Sequence, residues 1–152
     1  MRATWVSYVA ATWAFVFASA SFYWALGGRI GLETIGPGLA TLTNDPWFVA
    51  IGLWGVGVAK VAGGLLALAL IRLRQQRRVH RLIYLITLIG GSLAALYGAA
   101  SLVQHVLMIT GAIAIPAGLG RVATTWHIVL WDPWWVIGGV LFVTAARRSR
   151  AL

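Results

Sequence analysis

Asp132 lies in the most aromatic part of the sequence, and this combination could carry chemistry. The tryptophans around it are Trp126, Trp131, Trp134 and Trp135. A carboxylic acid in an apolar pocket can stay protonated and donate its proton, and aromatic faces stabilise a cation through their quadrupole. The pattern therefore suits acid-catalysed chemistry on an alkene, as in terpenoid cyclisation, with Asp132 or Glu33 as the acid.

A simpler interpretation comes from an internal repeat. The tripeptide Asp-Pro-Trp occurs at residues 45–47 and again at residues 132–134. An Asp side chain caps the free N–H groups of a helix start, and Pro in the first turn loses no hydrogen bond. We therefore expect Asp45 and Asp132 to begin helices, and we keep catalysis by Asp132 as the alternative.

Lys60 is a charged residue inside an apolar run, where a charge costs a few kcal/mol in a membrane. No carboxylate of the chain is expected at its depth. We therefore predict that Lys60 is neutral, stacks on an aromatic ring, or meets the anionic group of a ligand in a polar cavity. The alternative is that its side chain extends toward the cytoplasm.

Tyr97, Ser101 and His105 follow one another at four-residue spacing, which places them on one helix face. Such a stripe faces water or other helices, and hydrogen bonding between helices is its simplest role. His105 and His127 are expected at similar depth and could bind haem, or a metal together with Asp132. Because the sequence has no ligand-spacing motif and no cysteine, we expect neither a metal nor another cofactor.

The composition is that of a membrane protein, since 61% of the 152 residues are hydrophobic and 10% are charged. We expect an all-α fold, in which one domain over residues 1–152 contains four transmembrane helices. Their predicted ranges are residues 4–26, 46–71, 82–109 and 126–146, each long enough to cross about 30 Å of hydrocarbon. The repeat groups these helices into two sequence-related hairpins.

Arginines set the expected orientation. They concentrate between the second and third helices and after the fourth, so the positive-inside rule places both termini in the cytoplasm. Topology and anionic lipid headgroups explain these arginines, and we expect no nucleic-acid partner.

The fourth helix is the exception to a regular pattern, because residues 132–146 would span only about 21 Å. Either it begins near Trp126 and kinks at Pro133, or residues 121–131 form a separate segment that enters the membrane.

Two stretches carry a resemblance to a known family. They are Tyr-Trp-Ala-Leu-Gly-Gly at residues 23–28 with the glycine-rich loop after it, and Trp-Asp-Pro-Trp-Trp-Val-Ile-Gly-Gly at residues 131–139. With them the chain resembles a family of small four-helix bacterial membrane proteins classed as a domain of unknown function. The resemblance implies a multi-pass protein of the bacterial inner membrane and implies no activity.

Three functions follow from these observations. The leading hypothesis is binding of a hydrophobic small molecule or lipid in a pocket that opens outward. Besides Asp132, the residues expected to line it are Lys60, Tyr97, His105, His127, Trp131 and Trp135. The second hypothesis is an isoprenoid-converting enzyme that uses acid catalysis. The third is an accessory subunit that docks a membrane partner through small residues, and association with a second copy of the chain also stays open.

Overall fold

The computed structural model describes residues 4–150 of the chain. This part is 82% helical and contains no strand. Four helices are long and apolar enough to cross a membrane, namely Trp5–Ala25, Phe48–Arg72, Arg77–Ile109 and Gly120–Arg150. The predicted all-α fold with four such helices is confirmed. The cytoplasmic termini and the relation between the two hairpins stay predictions.

The described residues contain six α-helices, which we number in chain order. They are α1 (Trp5–Ala25), α2 (Pro37–Leu42), α3 (Val56–Arg72), α4 (Arg77–Ile109), α5 (Gly120–Trp126) and α6 (Asp132–Arg150). Two π-helical segments, Phe48–Gly55 and His127–Trp131, lead directly into α3 and α6. The fourth apolar helix is therefore continuous from Gly120, and no separate segment precedes it.

The two Asp-Pro-Trp copies occupy different positions in their helices. The Trp47 backbone N–H donates a 2.8 Å hydrogen bond to Asp45 Oδ1, so Asp45 caps a helix as the sequence predicts. Asp132 instead lies inside a continuous helix, and the expectation that it caps one is wrong. Pro133 has no N–H, and its ring would clash with the carbonyl four residues earlier in a regular helix. The wider π-helical turn before it accommodates the proline without ending the helix.

Glycines bring α4 and α6 into close contact. A Cβ atom added to Gly98 would lie 2.8 Å from Val136 N and 2.9 Å from Asp132 O. A Cβ atom on Gly91 would lie 3.0 Å from Gly139 O. Glycines at these positions allow the backbones of α4 and α6 to approach each other in lipid, where van der Waals packing drives helix association. Helices α1 and α3 also pack closely, since the ring of Phe22 packs over Gly57 and the ring of Phe15 packs over Gly64.

The bundle has two chemically different ends. The end that contains Glu33, Asp45 and Asp132 is called the acidic end below, and the opposite end, with the loop between α3 and α4, is called the arginine-rich end. At the acidic end, the connection that contains Gly38 contacts the connection that contains Gly118. The Gly38 N–H donates a 2.8 Å hydrogen bond to Gly118 O. At the arginine-rich end, the Arg150 guanidinium lies 3.9 Å from the centroid of the Tyr84 ring.

Two glycines of α4 test this packing as a matched pair. We expect Gly98→Ala to lower the free energy of unfolding by about 1–3 kcal/mol, because the added methyl group meets the backbone of α6. Gly90→Ala should leave stability equal or raise it by up to about 1 kcal/mol, since nothing lies within 4 Å of a Cβ atom there and alanine favours a helix. Denaturation of both variants in detergent measures the difference. Equal effects would contradict the proposed contact between α4 and α6.

Candidate functional site

Asp132 is buried at the acidic end, with 1% of its side chain exposed, and both of its carboxylate oxygens have partners. Ser101 Oγ donates to Oδ1 at 2.9 Å, and His105 Nδ1 lies 2.7 Å from Oδ2. His127 Nδ1 lies 3.2 Å from Oδ1. The carboxylate therefore joins α4, which carries Ser101 and His105, to the π-helical segment that carries His127. We call these four residues the Asp132 cluster.

Helical spacing explains how these side chains meet. Ser101 and His105 are four residues apart on α4 and so share the face that packs on α6. His127 and Asp132 are five residues apart along the chain, and the π-helical segment between them has the matching five-residue hydrogen-bond period. The turn that accommodates Pro133 thus also directs His127 toward the Asp132 carboxylate.

The two histidine rings are stacked, with their centroids 4.4 Å apart and an angle of 28° between their planes. His127 also reaches the connection before α2, because its Nε2 lies 3.3 Å from the carbonyl oxygen of Ile35. In the described part of the chain, the ion-pair partners of Asp132 are these two histidines, with neither Lys nor Arg among them. An ionised Asp132 would therefore be balanced by charge on these histidines or on a cation bound together with them.

Lys60 lies in a separate, more apolar environment on α3. Its Nζ atom donates a 2.9 Å hydrogen bond to Ser21 Oγ and lies 3.4 Å from the centroid of the Phe17 ring. Stacking on an aromatic ring is therefore observed, as one of the sequence predictions has it. Both contacts hold the Lys60 amine against α1. The alternative, extension toward the cytoplasm, stays a prediction.

A cavity of ≈ 440 Å³ lies between α1, α3, α4 and α6. Lys60, Trp13, Thr87 and Trp135 line it together with apolar and small residues. Two of these polar groups, Trp13 Nε1 and Thr87 Oγ1, are buried and have no hydrogen-bond partner within the described residues. Both atoms are covered by surrounding protein atoms, and an unsatisfied buried group of this kind costs about 1–3 kcal/mol.

The structure divides the predicted site residues into two groups. His105, His127 and Asp132 belong to the Asp132 cluster, whereas Lys60 and Trp135 line the cavity.

The remaining predicted residues lie elsewhere. Trp131 donates its Nε1–H to Thr34 Oγ1 at 3.1 Å, and the ring of Tyr97, which is 59% exposed, meets the edge of the Trp135 ring. Glu33 is exposed on the turn Leu32–Thr34.

Thr87 and Trp13 are not among the residues that the sequence predicts for the site. Each is an ordinary helix residue in the sequence, and only the packing reveals that its polar atom is buried without a partner. Ser101 was recognised as part of a polar stripe but not as a partner of Asp132. The sequence does contain a signal for this role of Ser101. Ser101 and His105 are four residues apart on one helix face, so both side chains can contact the same carboxylate.

The two repeat copies provide a direct test of the Asp132 cluster. We expect Asp132→Asn to lower the free energy of unfolding by about 3 kcal/mol or more, because it leaves buried histidines without their carboxylate. The matched variant Asp45→Asn should change it by less than about 0.5 kcal/mol, since Asn caps helices as well as Asp does. Chemical denaturation in detergent compares the two. Similar losses for both would mean that Asp132 acts only as a local helix residue.

Comparison with known proteins finds no match among curated proteins and none among solved structures. Residues 14–142 match the profile of one family, described as protein of unknown function (DUF3995). The matched range includes the whole Asp132 cluster, Lys60 and Thr87. The resemblance seen in the sequence is thereby confirmed, and the chain belongs to the DUF3995 family.

Proposed function

We propose that the protein binds an apolar, membrane-resident small molecule or lipid in the cavity between α1, α3, α4 and α6. The ligand carries an oxygen group that accepts hydrogen bonds, such as a carbonyl or carboxylate. The observation that carries the proposal is an apolar cavity of ≈ 440 Å³ whose lining includes the single cationic side chain Lys60. Small-molecule sites commonly have this composition and a volume of about 300–1,000 Å³.

Lys60 favours an acceptor on the ligand, because its ammonium can only donate hydrogen bonds. Lys60 uses one donor on Ser21, and an ammonium has three. A ligand oxygen near Lys60 would accept one of the remaining hydrogen bonds.

Small residues create the space for the ligand. Ala59 and Gly63 on α3 and Gly90 and Ala94 on α4 line the cavity, so the two helices do not fill the gap between them. Val56 and Ile86 also line it and are 40% and 45% exposed, which places the edge of the cavity at the surface between α3 and α4. A molecule dissolved in the bilayer could enter sideways through this gap.

The alternative functions have less support. The residues that line the cavity include neither Asp nor Glu, and Asp132 already binds three side chains, so acid catalysis has no free acid at this cavity. The accessory-subunit hypothesis uses small residues of the second and third membrane-spanning helices as a docking face, namely Gly55, Ala59, Gly63, Gly91, Ala95 and Ala99. Of these, Gly91 already packs against α6, and Ala59 and Gly63 line the cavity.

Filling the cavity tests the proposal. We expect Gly90→Phe to fold but to abolish co-purification of a stoichiometric apolar compound, since nothing lies within 4 Å of a Cβ atom at Gly90 and the ring can occupy the cavity. Leu93→Phe is the matched control, because Leu93 is 62% exposed on the same helix and does not line the cavity. Solvent extraction and mass spectrometry of the purified proteins give the readout. A compound retained equally by wild type and Gly90→Phe would contradict the proposal, as would an empty wild-type protein.

The same measurement on Lys60→Met and Lys60→Arg identifies the role of the charge. Removing the ammonium should weaken retention of an anionic ligand by about tenfold or more, since a hydrogen bond to a charged group contributes about 1.5–3 kcal/mol. Lys60→Arg keeps the charge and should retain more ligand than Lys60→Met. Lys60→Met should also raise thermal stability, because it removes a charge from an apolar environment. Equal retention in both variants would remove Lys60 from the binding site.

A further inference from the structure

We propose that His105, His127 and Asp132 bind a divalent transition-metal ion of the zinc class at the acidic end of the bundle. Each residue offers one ligand atom, and these atoms all lie within 4.8 Å of one another. Two imidazoles and one carboxylate form a donor set that zinc uses in sites with an open fourth position. The sequence alone led to the opposite expectation, because the three residues show no ligand-spacing motif.

The hydrogen bonds of His127 give the first argument. Its Nε2 lies 3.3 Å from the Ile35 carbonyl oxygen, which can only accept, so Nε2 carries the proton. In the neutral ring Nδ1 then has a lone pair, and this lone pair faces Asp132 Oδ1 at 3.2 Å. Two acceptors do not attract each other. A proton, carried by the Asp132 carboxyl group or by His127, or a metal ion therefore lies between the two residues.

His105 supplies the second nitrogen that a metal ion would need. Its Nδ1 also faces the Asp132 carboxylate, at 2.7 Å, and its ring stacks on that of His127 at 4.4 Å. The two Nδ1 atoms therefore approach the two oxygens of a single carboxylate from adjacent rings. Protons alone would require either a neutral carboxylic acid that donates to His127 or an imidazolium stacked on a second imidazole. One divalent ion would instead satisfy both nitrogens and leave the carboxylate ionised.

The distances and surroundings suit such an ion. Around a tetrahedral zinc with bonds of about 2.0–2.1 Å, neighbouring ligand atoms are about 3.3 Å apart. The observed 3.2 Å for His127 is close to this value, whereas the 2.7 Å for His105 and the separations of up to 4.8 Å within the set require shifts of about 0.6–1.5 Å on binding. The bond from His127 Nε2 to Ile35 is the outer contact that commonly orients a ligating histidine. The His127 side chain is 17% exposed, which gives an ion access from the acidic end.

The test is a titration of the purified full-length protein with Co²⁺, after chelator treatment, in detergent. We expect one equivalent to bind with the visible absorption of a four-coordinate site, and Zn²⁺ to displace it. His127→Gln should weaken Co²⁺ binding by more than about hundredfold, because loss of a ligand exceeds the 10–100-fold effect of losing an outer contact. His80→Gln is the matched control, since His80 is the remaining histidine and lies near the arginine-rich end.

Thermal stability gives an independent readout that does not depend on colour. Zn²⁺ should raise the Tm of wild type and of His80→Gln but not that of His127→Gln. Unchanged Co²⁺ binding in His127→Gln would overturn the proposal. A wild-type protein that shows neither a visible band nor a Tm shift would also overturn it, and would leave a proton between His127 and Asp132. His105→Gln provides a second variant if His127→Gln does not fold.

Discussion

A carboxylate buried in an apolar helical bundle must be given partners, and this constraint organises the acidic end of the protein. An isolated charge there would cost many kcal/mol, so Asp132 can remain only where donors surround it. Ser101 and His105 on α4 provide them, and His127 before α6 is the third side chain in contact with the carboxylate. The same carboxylate therefore fixes how α4 meets α6, and through His127 and Ile35 it fixes where the connection before α2 lies.

The close pairing of α4 with α6 has a consequence on the other side of the bundle. Glycines such as Gly91 and Gly98 allow these backbones to meet, whereas α3 and α4 present small residues across a gap that nothing fills. Small residues therefore give a close helix contact between α4 and α6 and a cavity between α3 and α4. The two cases differ in whether the backbone of the facing helix lies close to the small residues. The cavity and the Asp132 cluster share no residue.

Much of the fold follows from the sequence, because four long apolar runs have few alternatives in a membrane protein. The cap at Asp45 also follows from local chemistry alone. Asp132 has the same local sequence, but its partners Ser101 and His105 lie about thirty residues away, and only tertiary contacts reveal that it does not cap a helix. Thr87 and Trp13 are harder still, since the absence of a partner is a property of packing and leaves no pattern in the sequence.

The central claim is that the Asp132 carboxylate lies in direct contact with His105 between α4 and α6. Magnetic-resonance measurement of the dipolar coupling between ¹⁵N-labelled histidine and ¹³C-labelled aspartate tests it directly in lipid, and the chain's three histidines keep the spectra simple. We predict a strong coupling from His105 Nδ1 to the Asp132 carboxyl carbon, as expected for a nitrogen–oxygen distance of 2.7 Å. It should disappear in His105→Gln and persist in His80→Gln. Absence of this coupling in the wild-type protein would contradict the account.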